Sequence, residues 1–597
     1  MHTQQIDSID IQLFLKGVHY NLYDVLGAHV GEGGTRFALW APNAKKVYVA
    51  GDFNEWAVEL EMERRDGGIW ELFVEGAQEG DHYKYVIDTG AGLLWKADPM
   101  AFYAQQRPET ASIVSQVDGY EWSPWEFKRG PVKVYEVHLG SWKKGLGYRD
   151  AAHELAEYCN EMGFTHVELL PIMEHPLDES WGYQVSGFFA PTARYGSIRD
   201  FQYFVDYMHR HGLGVILDWV PSHFPMDGFG LAQFDGKALY EYHDTKMGYH
   251  PQWDTLIFDY ASARVQNFLL ASALFWLDKY NVDGLRIDAM ESIIMRDYSK
   301  KAGEWIPNEH GGRENLEAID FLKHLNSIIQ ERFPGRITAA EDSSMFEGVT
   351  HPLKSGGLGF TYKWALGWMH DTLNVFTAHE KDLNALTHIF NYITKERYLL
   401  PLSHDEVVHG KKSLLKKMPG DLFEKRALLR MLFAWMYICP GDELLFMGGE
   451  FAQTGEWNCK TSLDWDEADA GMQAFIKDLN GMKIEGDVSY EMGDYLTVRR
   501  GSMTALFNFS QNSYDVNSGG LRLGKEGRKS RSGCKADDEP GSIEPGEEDN
   551  AADGDEFFVK NFPKSDCMSI HGLSSDRVEY GGKGRKGLAP QTVIIYE

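Results

Sequence analysis

The sequence predicts an α/β protein: a (β/α)8 TIM-type barrel flanked by an amino-terminal and a carboxyl-terminal β-sandwich domain. Three observations predict this class. A chain of 597 residues is too long for one hydrophobic core. From about residue 131 to 478, strand and helix patterns alternate, which is typical of a parallel sheet with right-handed crossovers. Short strand patterns without intervening helices lie on both sides of this region.

The amino-terminal region, residues 19–115, consists of short runs of aromatic and β-branched residues separated by Gly, Asp and Asn. The runs "TRFALWAP", "KKVYVAGDFN", "IWELFVEG" and "HYKYVIDTG" are typical of strands in a small β-sandwich. We expect an extension at 1–18 before this domain and a linker at 116–130 after it.

The barrel is predicted over residues 131–478. After "YGS", Ser197 and Asp200 have the spacing of a capping box in front of an amphipathic helix. Eight strand candidates favour a closed barrel over an open doubly wound sheet. They are "VKVYEVHL", "FTHVELLPI", "LGVILDWV", "VDGLRID", "RITAAE", "GLGFTYKW", "YLLPLSH" and "DELLFMGGE".

The carboxyl-terminal region, residues 479–597, returns to strand patterns and predicts a shortened β-sandwich. Within it, segment 519–556 is a basic block followed by an acidic block, with few apolar residues. Such a segment cannot bury enough surface to offset the entropy lost on ordering. We therefore expect a disordered insert there.

The amino-acid composition limits the classes of binding partner and the cellular compartment that we expect for this protein. The formal net charge of −30 argues against a polyanionic partner such as nucleic acid or an acidic membrane surface, and it favours a neutral substrate. Five scattered cysteines have no metal-ligand spacing and suit a reducing compartment. The polar start "MHTQQIDSIDIQLF" does not have the pattern of a signal peptide, and no apolar run is long enough to span a bilayer. We expect a cytoplasmic monomer.

Four acidic residues follow four of the predicted strands. Asp218 ends "GVILD", Asp288 ends "GLRID", Glu341 ends "RITAAE" and Asp405 follows "LLPLSH". In a barrel these strand ends open onto one face, where active sites are built. Any one of the acids could be a helix cap or part of a loop ion pair. Four converging acids favour an active site in which carboxyl pKa values are separated into acid and base roles.

Basic residues accompany these acids. His223 follows Asp218 by five positions, and His404 directly precedes Asp405. Arg286 lies two residues before Asp288, so the two side chains share one face of the strand. Such a pair is either a structural ion pair or an arrangement that keeps an aspartate ionised as a nucleophile. Metal binding is a competing use of clustered Asp and His, but no H-x-x-x-H or D-x-D-x-D pattern completes a coordination sphere.

Two carboxyl groups at about 5 Å form a retaining glycosidase-type site. One attacks the sugar carbon and forms a glycosyl-enzyme. The other protonates the leaving oxygen and then deprotonates the incoming nucleophile.

The short motifs "DWVPSH", "GLRIDA", "AAED" and "LSHDE" resemble the conserved regions of the α-amylase clan of glycoside hydrolases. Longer stretches, among them "ELLPIMEHPLDESWGYQVSGFFAPTARYG", "LPLSHDEVVHGKKSLLKKMPGD" and "LFMGGEFAQTGEWN", resemble glycogen branching enzymes in particular. The segments "NLYDVLGAH", "GDFNEW" and "KADPMAF" are similar to the glycogen-binding β-sandwich module that precedes such barrels. The resemblance covers roughly residues 18–480.

This resemblance implies a transferase that cuts an α-1,4-glucan chain and moves the fragment to a 6-hydroxyl, creating an α-1,6 branch in glycogen. It implies Asp288 as nucleophile, Glu341 as general acid/base and Asp405 as transition-state stabiliser. It also implies a set of residues around the sugar at the bond to be cut: Tyr183 in "WGYQ", Asp218, His223, Arg286 and His404. No metal and no organic cofactor are implied.

The sequence also departs from the family pattern. Asp342 stands where a second Glu usually follows the acid/base, Ala365 replaces an Asn, and Ala452 replaces a Gly. We expect these changes to tune the activity rather than abolish it.

Two alternatives stay open beside the branching transferase. One is an α-glucan hydrolase of the same clan, of the debranching or amylase type, in which water takes the intermediate. The other is a catalytically silent glycogen-binding protein. In the amino-terminal module, Trp56 and Trp70 could each be a sugar platform or a core residue.

Overall fold

The computed structural model describes residues 5–127, 130–493, 495–510, 514–515, 522–523, 573–574 and 591–596. By its internal contacts the chain divides into two units. The first comprises Met1–Lys417 with Gly441–Ala468, and the second comprises Met418–Pro440 with Asp469–Glu597. The domain boundaries drawn from the sequence stay predictions. Across the described ranges, no helix combines the length and the apolar character needed to cross a bilayer.

The amino-terminal part of the first unit contains two antiparallel sheets. Phe37 of one sheet packs against Tyr83 of the other, with ring centroids 4.9 Å apart, so the sheets form the predicted sandwich. One sheet has the order Gly27–Gly31, Gly34–Trp40, Ile69–Glu75 and Glu63–Arg64. The other has the order Leu60–Glu61, Lys46–Gly51, His82–Asp88, Ser112–Ile113 and Tyr103–Ala104, with Leu93–Lys96 paired to His82–Asp88.

A closed barrel of eight parallel strands confirms the predicted fold. The strands pair in chain order, and the last one pairs with the first. All eight sequence candidates contain a barrel strand. The strands are Lys133–Val137, His166–Leu169, Gly214–Trp219, Gly284–Ile287, Ile337–Ala340, Tyr362–Trp364, Tyr398–Leu402 and Asp442–Phe446.

The helices of the first unit connect and surround these strands. Ser197 caps its helix through the predicted capping box with Asp200. A helix that the sequence analysis did not predict, Ser8–Leu15, buries Phe14 against Trp40. The helices are Ser8–Leu15, Leu139–Trp142, Tyr148–Met162, Ile198–Arg210, Thr245–Gly248, Ala263–Lys279, Met290–Ile294, Leu316–Arg332, Leu366–Thr377, Leu383–Leu386 and Leu414–Lys417. Short strands pair in two further sheets: Met173–Glu174 with Gly187–Pro191, and His223–Pro225, Thr255–Ile257 and Tyr249–His250.

The described part of the second unit contains an antiparallel sheet and the helices Leu422–Ile438 and Ala470–Gly481. The sheet order is Val488–Met492, Leu496–Arg500, Met503–Asn508, Thr592–Tyr596 and Leu573–Ser574, and Tyr514–Asp515 pairs separately with Arg522–Leu523. Trp435 packs against Phe507 at 5.7 Å between ring centroids, so a helix covers this sheet. The predicted disordered insert at 519–556 lies outside the described residues, apart from 522 and 523.

A buried carboxylate at the amino end of the fourth barrel strand joins several elements. Asp283 accepts hydrogen bonds from Trp125 Nε1 at 2.7 Å, His209 Nε2 at 2.8 Å and Arg336 Nη1 at 2.8 Å. Burial favours the neutral acid, but His209 and Arg336 outweigh it and lower the pKa of Asp283. Trp125 lies in the predicted linker, so that segment is fixed to the barrel.

We predict that Asp283→Ala lowers the free energy of unfolding by roughly 3–5 kcal/mol, because it leaves Arg336 and His209 without their buried acceptor. Denaturant unfolding followed by tryptophan fluorescence measures this change. Asp466→Ala, which removes an exposed carboxylate, is the matched control and should change stability by less than about 0.5 kcal/mol. Equal stability of the two variants would contradict the prediction.

Candidate active site

The barrel brings the four predicted acids to one face. Asp218 lies in the third strand, one residue before its end, and Asp288 and Glu341 directly follow the fourth and fifth strands. Asp405 follows the seventh strand in the short 3-10 helix His404–Val407. Because all barrel strands are parallel, these strand ends share one mouth.

Arg286 is the common partner of three of these acids. Its Nη1 donates to Asp218 Oδ1 at 2.5 Å and to Asp288 Oδ1 at 2.9 Å, and its Nη2 lies 2.7 Å from Glu341 Oε2. The Arg286 side chain is only 1% exposed, and its guanidinium lies over the Trp364 ring at 4.6 Å. One buried cation therefore fixes Asp288 and Glu341 on its two terminal nitrogens, which keeps their carboxyl groups close together.

The backbone after Asp288 turns sharply at Ala289. This residue has φ +49°, in the left-handed region that non-glycine residues adopt at a cost of about 1–2 kcal/mol. The turn directs the Ala289 N–H at Glu341 Oε2, at 2.8 Å. Glu341 thus receives a backbone hydrogen bond as well as the ion pair, and its carboxyl group is held in one orientation.

Tyr183 and His404 contact the acid cluster and each other. The Tyr183 hydroxyl donates to Asp218 Oδ2 at 2.5 Å and lies 3.2 Å from His404 Nε2. The two rings stack with centroids 5.5 Å apart. The structure therefore brings Tyr183, Asp218, Arg286 and His404 together as the sequence analysis expected.

His404 is a buried cation bound by a carboxylate that the sequence analysis missed. Its Nδ1 lies 2.6 Å from Glu136 Oε1, and its Nε2 lies 3.6 Å from Asp405 Oδ1. Burial lowers the pKa of His404, but Asp405 and Glu136 outweigh it and raise the pKa to about 9. The pKa of Asp405 is shifted in the opposite direction. Burial raises it, but the positive charges of His404 and Arg286 outweigh burial and lower it overall.

Asp218, Asp288 and Glu341 share a single cation, Arg286, and its charge does not balance all three carboxyl groups. Burial raises the pKa of Asp288, Arg286 opposes the rise, and the charges of Glu341 and Asp218 add to it, so the pKa ends well above its usual value. Burial likewise raises the pKa of Asp218 to about 6 despite Arg286. Arg286 therefore only partly offsets the rise in the pKa values of Asp288 and Asp218 that burial and carboxylate repulsion cause.

His223 has a different environment from the other predicted site residues. Its ring packs against Trp253 at 4.9 Å and against His250 at 6.4 Å. Burial lowers the pKa of His223 to about 3, so the ring is neutral. The neighbouring Ser222 hydroxyl reaches Asp288 Oδ2 at 3.5 Å, so His223 follows a residue that contacts the acid cluster.

Three further residues of the barrel interior were not predicted. Glu136 is the inward-facing acid of "VYEV" in the first strand, and Trp364 ends the sixth strand. Glu168, paired in register with Glu136, is buried, and within the described part of the chain neither of its oxygens has a hydrogen-bond partner. Burial, Glu136 and Asp218 raise its pKa well above the usual value. Strand alternation was the available signal for Glu136, since it lies at an inward position of a predicted strand.

The three departures from the family pattern have distinct surroundings. The carboxylate of Asp342 is buried 2.8 Å from Lys363 Nζ, so it has its own cation. Ala365 precedes the helix Leu366–Thr377 and is buried. Ala452 has φ +58°, a conformation that favours glycine. Ala452 therefore carries backbone strain that a glycine would not.

Two family models match the chain. "Carbohydrate-binding module 48 (Isoamylase N-terminal domain)" matches residues 25–101, within the sandwich. "Alpha amylase, catalytic domain" matches residues 143–231, in the first part of the barrel.

Two solved structures share the fold at low sequence identity. A putative alpha amylase from Salmonella typhimurium has a TM-score of 0.66 and 18% identity, covering 96% of this chain and 99% of that one. A pullulanase complexed with maltotetraose, from Anoxybacillus sp. LM18-11, has a TM-score of 0.66 and 16% identity, covering 86% and 84%.

Curated relatives match at much higher identity. The 1,4-alpha-glucan branching enzyme GlgB of Protochlamydia amoebophila is 51% identical over 505 residues, covering 79% of this chain and 69% of the relative. The protein of the same name from Rhodopirellula baltica is 51% identical over 508 residues, covering 80% and 69%. That from Chlamydia pneumoniae is 52% identical over 483 residues, covering 77% and 67%. The chain therefore belongs to the 1,4-alpha-glucan branching enzyme GlgB family.

Proposed function

We propose that this protein is an enzyme that cuts an α-1,4 bond in an α-glucan and transfers the released chain to a 6-hydroxyl, forming an α-1,6 branch by a retaining double displacement. The observation that carries the proposal is the pair of carboxyl groups, Asp288 and Glu341, bound to the two terminal nitrogens of Arg286 at the barrel mouth. In retaining enzymes the two carboxyl groups lie about 5–5.5 Å apart. One guanidinium can hold two acids at such a short separation.

In the first step, ionised Asp288 attacks the anomeric carbon while Glu341 gives its proton to the glycosidic oxygen. The C–O bond to the leaving chain breaks, and an ester bond to Asp288 forms. In the second step, Glu341 takes the proton of the acceptor 6-hydroxyl, whose oxygen attacks the same carbon. Asp288 then leaves as a carboxylate. Glu341 gives up one proton in the first step and regains one in the second, and neither step uses a cofactor.

The surrounding residues bind and orient the sugar in this proposal. Asp405 is kept ionised by His404 and accepts hydrogen bonds from sugar hydroxyls, which strengthen as positive charge develops on the ring. Asp218 holds the Tyr183 hydroxyl, and Tyr183 presents an aromatic face beside the reacting centre. His223 is neutral and serves as a hydrogen-bonding group rather than as a charge.

We further propose a cytoplasmic monomer that uses neither nucleic acid nor membrane as a partner. The net charge of −30 supports a neutral polysaccharide partner. Among the described residues, Cys159 and Cys459 are free thiols, which suits a reducing compartment.

A pair of indole rings in the amino-terminal module supports glycogen binding. Trp56 and Trp95 have ring centroids 6.5 Å apart, and Trp95 is 39% exposed. Trp56 Nε1 donates to Asp52 Oδ1 at 3.0 Å, which orients the ring. Trp70 is buried and donates to the Ala41 carbonyl, so it is a core residue. We propose Trp56 and Trp95 as the platform on which pyranose faces stack.

We predict that Asp288→Asn lowers branching of amylose by more than about 1,000-fold, because the amide cannot attack the anomeric carbon. New α-1,6 linkages counted by proton NMR give the rate. Glycogen binding by this variant should stay within about twofold of the wild type. Asp466→Asn is the matched control and should branch normally.

Full branching by Asp288→Asn would overturn the assignment of the nucleophile. If wild-type protein instead produces new reducing ends without α-1,6 linkages, the enzyme is a hydrolase of the same clan. Absence of both products would identify a glycogen-binding protein without catalysis.

The electrostatics of the site predict a bell-shaped pH profile of kcat/KM. Below about pH 6, Asp218 takes up a proton and loses its ion pair with Arg286, so activity falls. Above about pH 9, His404 loses its proton and with it the ion pairs to Glu136 and Asp405 that hold Asp405 in place, so activity falls again. His404→Gln should remove the alkaline limb, and the exposed His310→Gln should keep it. An alkaline limb unchanged by His404→Gln would contradict this.

For the module, Trp56→Ala and Trp95→Ala should each weaken glycogen binding about fivefold through the loss of ring stacking. Trp70→Phe is the control, because it retains an aromatic core residue and should bind normally. Affinity electrophoresis in glycogen gels measures all three. Equal retardation of the three variants would rule out this platform.

A further inference from the structure

Glu136 is a buried carboxylate on the first barrel strand that makes two contacts with His404. Its Oε1 lies 2.6 Å from His404 Nδ1, and its Oε2 accepts the main-chain N–H of the same residue at 3.0 Å. The Glu136 side chain is 0% exposed and that of His404 is 2% exposed. The two residues lie 268 positions apart in the chain. One carboxylate therefore fixes both the backbone and the ring of His404.

Aromatic side chains surround the buried His404 ring. Their ring centroids lie 5.5–6.4 Å from that of the imidazole, and they belong to Tyr183, Trp181, Phe446 and Trp457. A charged imidazole in such surroundings has few water molecules to solvate it, so it needs carboxylate partners. Glu136 Oε1 is the closer partner, because Asp405 Oδ1 lies 3.6 Å from His404 Nε2.

Other titratable groups face the His404 ring from the neighbouring barrel strands and the segments after them. They are His138, Glu168, Tyr183, Asp218 and Arg286. Asp218 and Arg286 form an ion pair with each other at 2.5 Å. His138 is neutral, because burial, together with His175 and His404, lowers its pKa to about 3. The two carboxylates that contact the His404 ring therefore balance its charge.

Glu168 is a second buried acid at the same level of the barrel, but its protonation state differs. It is paired in register with Glu136 on the neighbouring strand, so the two side chains share one face of the sheet. In the part of the chain that the structure describes, neither oxygen of Glu168 has a hydrogen-bond partner. Burial raises the pKa of Glu168 well above its usual value, and Glu136 and Asp218 raise it further. Glu168 is therefore a neutral acid, and the negative charge of the pair lies on Glu136.

Glu136 also decides which ring nitrogen of His404 loses its proton. A carboxylate beside Nδ1 holds the Nδ1 proton in the charged and the neutral ring alike. The proton on Nε2 is then present only in the charged ring. Nε2 lies 3.2 Å from the Tyr183 hydroxyl and 3.6 Å from Asp405 Oδ1. Loss of the Glu136 charge would therefore make the charged ring harder to form and remove the N–H donor that faces these two residues.

We propose that Glu136 is a positioning residue of the reaction: by holding His404 charged and bound at Nδ1, it keeps an N–H donor at Nε2 that orders Asp405 and Tyr183 around the sugar. The inference rests on the proposed function, which assigns Asp405 and Tyr183 to the sugar. Glu136 is fully buried and acts through His404, as the aspartate of a serine-protease triad acts through its histidine.

Glu136→Gln tests the proposal through the pH profile of branching. The amide keeps the shape of the side chain without its charge, so the alkaline limb of kcat/KM should move down by about 1–3 pH units. We expect kcat/KM to fall about tenfold at pH 8 and to stay within about threefold of the wild-type value at pH 6, where the ring is protonated again. A merely structural role would lower activity equally at both pH values.

Glu168→Gln is the matched control, because it makes the same change at the same level of the barrel in an acid that is already neutral. Its alkaline limb should coincide with that of the wild type, and its kcat/KM should stay within about twofold. A wild-type alkaline limb in Glu136→Gln, or the same displaced limb in both variants, overturns the proposal.

A double variant tests whether the effect passes through His404. In the His404→Gln background, Glu136→Gln should change kcat/KM at pH 8 by less than about twofold, because the ring on which Glu136 acts is already absent. A further tenfold loss in that background would mean that Glu136 acts by another route, and the proposal would fall.

If Glu136→Gln does not fold, the wild-type protein provides the test. In protein labelled with 15N at the histidine rings, the signals missing from His404→Gln belong to His404. NMR should show both of its ring nitrogens protonated at about pH 7 and loss of the Nε2 proton near pH 9. A neutral ring at pH 7, or loss of the Nδ1 proton instead, overturns the proposal. Each of these outcomes leaves the proposed function standing, which falls only if the wild type forms no α-1,6 linkages.

Discussion

The acid cluster depends on one buried guanidinium. Arg286 binds Asp218, Asp288 and Glu341 at 2.5–2.9 Å, and without it three largely buried carboxyl groups would repel one another. A lysine could not replace it, because only the planar fork reaches separate acids with separate nitrogens. Trp364 lies under its face and limits its movement. The close approach of Asp288 and Glu341 is thus a consequence of a single side chain.

Much of this site could be predicted because strand periodicity and strand ends are local signals. Alternation placed Arg286 and Asp288 on one face, and parallel strands placed Asp218, Glu341 and Asp405 at one mouth. Other features depend on distant parts of the chain, so no local pattern indicates them. Trp125 was assigned to a linker, yet it binds Asp283, 158 residues away. Trp95 lies beside Trp56 only in the folded chain, although 39 positions separate the two in the sequence.

The substitutions at Asp342 and Ala452 show how the barrel accommodates residues that differ from the family pattern. Asp342 is one methylene shorter than the usual Glu, and Lys363 on the neighbouring strand lies within ion-pair distance of it. The register pairs Lys363 with Ala340, two residues before Asp342, so the cation is placed by the barrel itself. At Ala452 the fold instead keeps a left-handed backbone without glycine. A packed barrel end can impose that conformation at a cost of about 1–2 kcal/mol.

A polymeric substrate explains why sugar-binding residues away from the acid cluster would help the reaction. Sugar hydroxyls bind weakly one at a time, because each hydrogen bond replaces one made to water. Several weak contacts along one chain raise the local concentration of linkages at the reacting centre. In the proposed mechanism, binding energy gained far from Asp288 can therefore position the bond to be cut.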